Sequence, residues 1–235
     1  MTARLEGRLA LITGASRGLG AAVAKRYARE GAHVILVART IGGLEEVDDA
    51  IKAEGGAATL VPADLTDGAG IDQIGGAIAQ RFGRLDILVG NAAVLGVLSP
   101  AAHVDPAVWG NAVSLNLTAN YRLIRTFDPL LRESQSGRAI FVTSTIAQGK
   151  HPYWAPYAAT KAGLEALVRT YAGEVEKTDI RVNLLDPGIV RTALRAEAYP
   201  GEDPEKHPLP EERTDAFVDL AAPSCTTHGA LIQAA

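Results

Sequence analysis

The 235-residue chain is 47% hydrophobic and 21% charged, a balance that excludes disordered and fibrous classes and gives one α/β domain a full core. Its formal net charge is −4, and its lysines and arginines are scattered rather than gathered into a stripe, which argues against a nucleic-acid partner. One cysteine, Cys225, excludes an internal disulfide and a thiolate metal cluster within one chain, and fits a reducing compartment.

The polar start, residues 1–8, leads into an apolar run at 9–12 that is too short for a signal-peptide core. No later run approaches the roughly 18 to 20 residues of a membrane span, so a cytoplasmic protein with no membrane partner is expected. Taken along the chain, residues 9–13, 34–38, 58–61, 85–90, 139–143 and 180–185 are continuously apolar and read as six buried parallel strands. A weaker seventh lies at 230–232. Between them, residues 19–30, 44–54, 71–82, 107–132 and 157–177 carry apolar side chains at helical spacing with charges on the other face. This alternation predicts an α/β fold: a Rossmann-type, doubly wound, mostly parallel seven-stranded sheet with helices on both faces. Residues 194–212 break the rhythm with Pro200, Pro204, Pro208 and Pro210, and are expected to form a flexible substrate flap within a single domain spanning 1–235.

The first strand runs directly into Thr13, Gly14, Ala15, Ser16, Arg17, Gly18, Leu19 and Gly20, and then into a helix. Glycines at a strand-to-helix junction let backbone N–H groups and the positive helix end approach a pyrophosphate. The second strand ends in Val37, Ala38, Arg39, Thr40, where an NAD-preferring site places a carboxylate for the ribose 2′-hydroxyl. Arg39, with Arg17, is suited instead to the 2′-phosphate of NADP, so NADP(H) is favoured over NAD(H).

Tyr157 and Lys161 stand four residues apart on one face of a predicted helix, a spacing at which an ammonium can lower a phenol pKa towards neutrality. Ser144 follows the fifth strand, where an open parallel sheet places its ligands, and Asn116 lies in the preceding long helix.

The glycine turn, Asp64 after the third strand, Asn91 and Ala92 after the fourth, then Asn116, Ser144, Tyr157, Lys161 and the Pro187–Gly188 pair fall in one order. In this the chain resembles the classical short-chain dehydrogenase/reductase family over residues 7–192. The resemblance implies Tyr157 as proton donor or acceptor, Ser144 as the hydroxyl that orients the substrate oxygen, and Lys161 as both a pKa-lowering charge and a ligand of the nicotinamide ribose. It gives Asn116 the proton-relay water, Asp64 with Leu65 the adenine, and Asn91 with Ala92 the strand framework beside the cofactor. Pro187, Gly188, Ile189 and Thr192 fall on the nicotinamide side. A homodimer through the two long helices is expected, with a tetramer second.

Two segments depart from the family pattern. Gly90, Asn91, Ala92, Ala93 stand where Asn-Asn-Ala-Gly is usual, and the ending at residues 229–235 lacks the usual Val-Asp-Gly-Gly-like close. His33, His103, His151, His207 and His228 have no metal-ligand spacing, so no metal is expected. Cys225, with no basic neighbour adjoining it in sequence, reads as structural. The loop before Tyr157, with Lys150, His151, Tyr153 and Trp154, reads equally as substrate mouth or aromatic plug.

The expected function is NADP(H)-dependent interconversion of a small-molecule carbonyl and a secondary alcohol. Two alternatives stay open: a cofactor-binding regulatory protein without turnover, and an epimerase or dehydratase acting on a nucleotide-linked sugar, for which the chain has little room.

Overall fold

Neighbouring residues of the first strand enter opposite cores. In β1 (Leu9–Thr13), Ala10 and Ile12 pack into one and Leu9 and Leu11 into the other. A strand covered on both faces must be apolar at every position, which is why the runs do not alternate. The computed structural model describes residues 3–234; Met1, Thr2 and Ala235, included above in the polar start, the domain span and the ending, lie outside them.

Six further strands join β1: β2 (His33–Ala38), β3 (Ala58–Pro62), β4 (Ile87–Gly90), β5 (Arg138–Val142), β6 (Arg181–Asp186) and β7 (Leu231–Gln233). Their order is β3-β2-β1-β4-β5-β6-β7, and every pairing is parallel where the sequence suggested only mostly so. The chain reverses its winding between β1 and β4, and the crevice above their C-terminal ends is where such a sheet takes a ligand.

Helices α1 (Gly18–Arg29) and α2 (Ile41–Ala53) line one face, joined by α8 (Asp215–Ala221) from the end of the chain. Leu19, Val23 and Tyr27 recur every fourth residue on the buried side of α1, and the Tyr27 hydroxyl donates to Phe217 O at 2.9 Å, tying α1 to α8. Helices α3 (Gly68–Phe82), α5 (Ala119–Arg132) and α6 (Ala155–Val175) cover the other face around Phe127, Phe141 and Leu164.

The expected long helix at 107–132 is three pieces. It opens as α4 (Pro106–Val113), capped by Asp105, whose carboxylate accepts from Ala107 N at 2.7 Å. It widens to a π-helical turn at Ser114–Thr118 and resumes as α5. The segment at 194–212 is not bare coil: α7 (Ala193–Ala198) and turns at Pro204–Lys206 and Pro210–Arg213 fold there. Among the described residues no helix is long and apolar enough to cross a membrane.

Candidate active site

The end of β1 builds a cradle from backbone. Gly14 and Gly18 take φ of 67° and 57°, a region that costs other residues dearly. A Cβ on Gly20 would lie 2.3 Å from Gly14 O and 2.6 Å from Asn91 Nδ2, so only glycine lets α1 start this close to the turn. No side chain caps the start of α1, which leaves its first N–H groups for an anionic ligand. Leu19 faces the core, while Ser16 is half-buried and Arg17 exposed at the lip. Asn91 is stitched to this turn: its Nδ2 donates to Thr13 O at 2.8 Å, and the N–H groups of Asn91 and Ala92 donate to Thr13 Oγ1. Thus β1 and β4 are locked together at the switch point.

Arg39 leaves β2 at the same edge, exposed and making no ion pair among the described residues. Asp64, after β3, accepts from the N–H and hydroxyl of Thr66 at 2.9 and 2.8 Å. Those bonds, helped by the charge of Arg39, hold its carboxyl below the usual carboxylate range. Leu65 is buried beside it. A cradle that a Cβ would fill, an uncapped helix start and two arginines that make no ion pair among the described residues fit a nicotinamide dinucleotide.

The altered segment after β4 has a local cause. A Cβ on Gly90 would stand 2.5 Å from Asn120 Oδ1 and 2.5 Å from Phe141 Cδ1, so the large Phe141 occupies the room a side chain at position 90 would need.

Tyr157 and Lys161 lie one turn apart on α6, both buried. The Lys161 ammonium donates to Val142 O at 2.7 Å and sits 5.6 Å from the centroid of the Tyr157 ring. In the chain alone the expected lowering of the phenol is reversed: burial, with the nearby Asp186 carboxylate, pushes Tyr157 above its ordinary value. Burial pulls Lys161 down to about 8, against the opposing charge of Asp186. Asp186 itself is buried at the end of β6 and accepts from Gly188 N at 2.9 Å, which shapes the Pro187–Gly188 turn.

Ser144 follows β5, and its Oγ accepts from Ile146 N at 3.3 Å, so the turn Thr145–Ala147 brings Ile146 to the apolar cluster that contains Tyr157. One residue earlier, Thr143 Oγ1 donates to the buried carboxylate of Glu165 at 2.9 Å. With Lys161, this makes two adjacent ties from α6 to the end of β5.

Asn116 lies in the π-helical turn, fully buried, and its amide is engaged on both sides. Its Oδ1 accepts from Val94 N at 2.9 Å, while Nδ2 donates to Val94 O at 2.9 Å and Thr160 Oγ1 at 3.1 Å. The widened turn gives that amide its reach, as π-turns at working sites often do.

On the far side, Ile189 is exposed, and Thr192 Cγ2 would be 3.6 Å from a Cβ on Gly18, bringing the segment after β6 to the glycine turn. Thr192 Oγ1 also accepts from Arg195 N at 3.2 Å, starting α7. Leu194 and Ala198 of α7 join one apolar cluster with Tyr157, Leu95, Ile146 and Trp154. Sequence reasoning named Trp154 without deciding its role, and missed Asp186, Glu165 and Tyr199; a carboxylate directly before Pro187 was the one available signal. Among the described residues no group of three or more His, Cys, Asp or Glu side chains is placed to hold a metal ion.

The fold as a whole is matched by known proteins. A family model described as short chain dehydrogenase matches residues 8–203, and the chain belongs to the short-chain dehydrogenase family and is an oxidoreductase of it. The oxidoreductase YciK of Escherichia coli K12 is 35% identical over 211 residues, covering 88% of this chain and 83% of that protein. A short chain dehydrogenase from Shigella flexneri 2a str. 301, solved in complex with NADP, is 33% identical with a TM-score of 0.96 over 100% of this chain and 99% of that one. Another from Escherichia coli CFT073, complexed with NADPH, is 33% identical with a TM-score of 0.95 over 99% of this chain and 98% of that one.

Proposed function

We propose that this enzyme interconverts a carbonyl and a secondary alcohol with NADP(H), using Tyr157 as the acid/base. The carrying observation is the placement of Tyr157, Lys161 and Ser144 on neighbouring elements at the sheet edge that also holds the glycine cradle, with Arg17 and Arg39 at its rim. The NADP- and NADPH-bound relatives support the cofactor preference.

Bound in that cradle, NADP(H) supplies or accepts the hydride. Gly14, Ser16, Gly18 and the start of α1 would hold its pyrophosphate, Asp64 and Leu65 its adenine, Asn91 and Ala92 the strand framework beside it, and Pro187, Gly188, Ile189 and Thr192 its nicotinamide side. Arg17 and Arg39 bind the 2′-phosphate.

Tyr157 gives its hydroxyl proton to the substrate oxygen during reduction and takes it back during oxidation. Ser144 donates to the same oxygen and fixes its direction. A buried phenol parts with its proton only beside a compensating charge, and Lys161 on the same helix face supplies it. Asn116 supports the proton path by holding Val94 and Thr160, since its amide is already committed to them. A dimer contact falls on α4, α5 and α6, a reading supported by the exposed Trp109 and Tyr121.

Titration with NADPH and NADH, read by nicotinamide fluorescence, followed by a carbonyl panel read by NADPH consumption, tests this reading. It expects tighter binding of NADPH and turnover of at least one carbonyl. Binding without turnover of any would favour a regulatory role, and no binding of either nucleotide would end the proposal.

A further inference from the structure

The rim of the site carries apolar surface that proton and hydride transfer do not use. Among the exposed large hydrophobic side chains, Val97 and Leu98 follow β4, Tyr153 follows β5, and Ile189, Tyr199 and Leu209 follow β6. These three connections leave the sheet at the edge where Ser144 and Tyr157 stand. Single exposed apolar residues need no explanation, but a concentration on one rim does.

The inner wall is aromatic. Trp154 meets Tyr157 edge-on, with ring centroids 6.0 Å apart and planes at 66°, and lies 5.8 Å from Tyr199. The connection after β4 closes on the same wall: Ser99 N donates to Tyr153 O at 3.0 Å, and a Cβ on Gly96 would lie 3.1 Å from Pro156. The cation stacked on this wall is paired, whereas Arg191, between Ile189 and Thr192, keeps a buried Nε with no hydrogen-bond partner among the described residues. Arg195 stacks 3.8 Å over the Tyr199 ring, yet its guanidinium is bound at both ends by Glu202, at 2.6 and 2.7 Å. His207 lies 3.0 Å from the same carboxylate, and His151 Nε2 turns to Gln148 O at 2.8 Å. A substrate carboxylate or phosphate lying against Trp154 and Tyr199 would lose water and meet in Arg195 a cation already paired by Glu202, a costly exchange; Arg191 is the cation the test must exclude.

We infer that the substrate is an uncharged carbonyl or secondary alcohol borne on an apolar ring, which lies against Trp154 and Tyr199 while its oxygen faces Ser144 and Tyr157. The inference rests on the reductase reading above. Aromatic edges and faces favour a ring through quadrupole contacts as well as buried area. Tyr157 shares an apolar cluster with Leu194 and Ala198 of α7, and a ring set beside the phenol extends that cluster.

The test compares three probes on the full chain with NADPH: a bicyclic aryl ketone, its carboxylated analogue and an acetoacetyl thioester. The uncharged ketone is expected to lead in kcat/KM by roughly tenfold or more. Trp154→Ala and the milder surface change Tyr199→Leu should each raise KM for the aryl ketone several-fold and leave NADPH affinity unchanged, and Trp154→Phe should restore most of the loss. Preference for the carboxylated ketone or the thioester, above all one abolished by Arg191→Ala, overturns the substrate class and leaves the reductase reading standing. Equal losses for the aryl ketone and for butanone in Tyr199→Leu also overturn it. Failure of all three probes and of the general carbonyl panel, with NADPH bound, overturns both.

Discussion

Lys161 reaches back across the site to Val142: its ammonium donates to that backbone carbonyl at 2.7 Å, binding α6 to the end of β5 four residues after Tyr157. A buried ammonium held by one neutral carbonyl binds its proton less firmly than it does in water, and burial brings it from an ordinary 10.5 down to about 8.

That shift sets the sign of a stability effect. The folded protein holds the Lys161 proton more weakly than the unfolded chain does, so the contribution of this group to stability is at its lowest below pH 8 and rises as pH climbs from there to 10.5. The full change is about 3 kcal/mol. In cofactor-free protein, the melting temperature of Lys161→Met minus that of wild type should fall steadily across this window. A difference independent of pH would show that Lys161 is not held in this state.

Arg39→Asp should weaken NADPH binding by roughly ten- to a hundredfold, the worth of one charge-assisted contact, and weaken NADH far less. Paired fluorescence titrations read the ratio directly. Equal effects on the two nucleotides would remove Arg39 from the 2′-phosphate.

Asn116→Ala strands Val94 N and O, which its amide pairs at 2.9 Å each, and takes one partner from Thr160. Unfolding in urea should show a loss of about 2 kcal/mol or more. Asn116→Asp keeps the acceptor but loses the donor, and should fall between Ala and wild type in activity.

Gly90→Asn restores the family's usual residue and should still destabilise, by about 1 to 3 kcal/mol, because Phe141 and Asn120 fill its space. Adding Phe141→Val should recover part of that loss. Additive losses in the double variant would mean that the two positions do not compete.

Much of this architecture was legible in the chain. Strands covered on both faces announce themselves as unbroken apolar runs, so β1 fell at residues 9–13 as expected and the others within one or two residues. The π-turn was hidden because Leu115 and Leu117 keep the stretch apolar and nothing in composition marks one extra residue per turn. Helix α8 was missed because seven residues behind a proline-rich segment show too little periodicity, although Phe217 and Val218 are fully buried. In the candidate site, the placement of Ser144 after β5 and of Tyr157 and Lys161 one turn apart on a helix was readable from spacing, while the roles assigned to them came from the resemblance. Asp186 and Glu165 act through burial and through partners distant in sequence, and spacing does not carry that information. In the chain alone Tyr157 is raised rather than lowered, because burial and the Asp186 carboxylate act on it, and helical spacing carries neither.

The most direct single measurement is NADPH binding and carbonyl turnover in Tyr157→Phe beside wild type. Phenylalanine keeps the ring among Leu95, Ala198 and Trp154 and removes only the hydroxyl. Cofactor affinity should stay within about twofold, while turnover falls by roughly a hundredfold or more, the scale of a lost general acid. A Tyr157→Phe enzyme that turns over a carbonyl at close to the wild-type rate would contradict the assignment of Tyr157 as the proton donor.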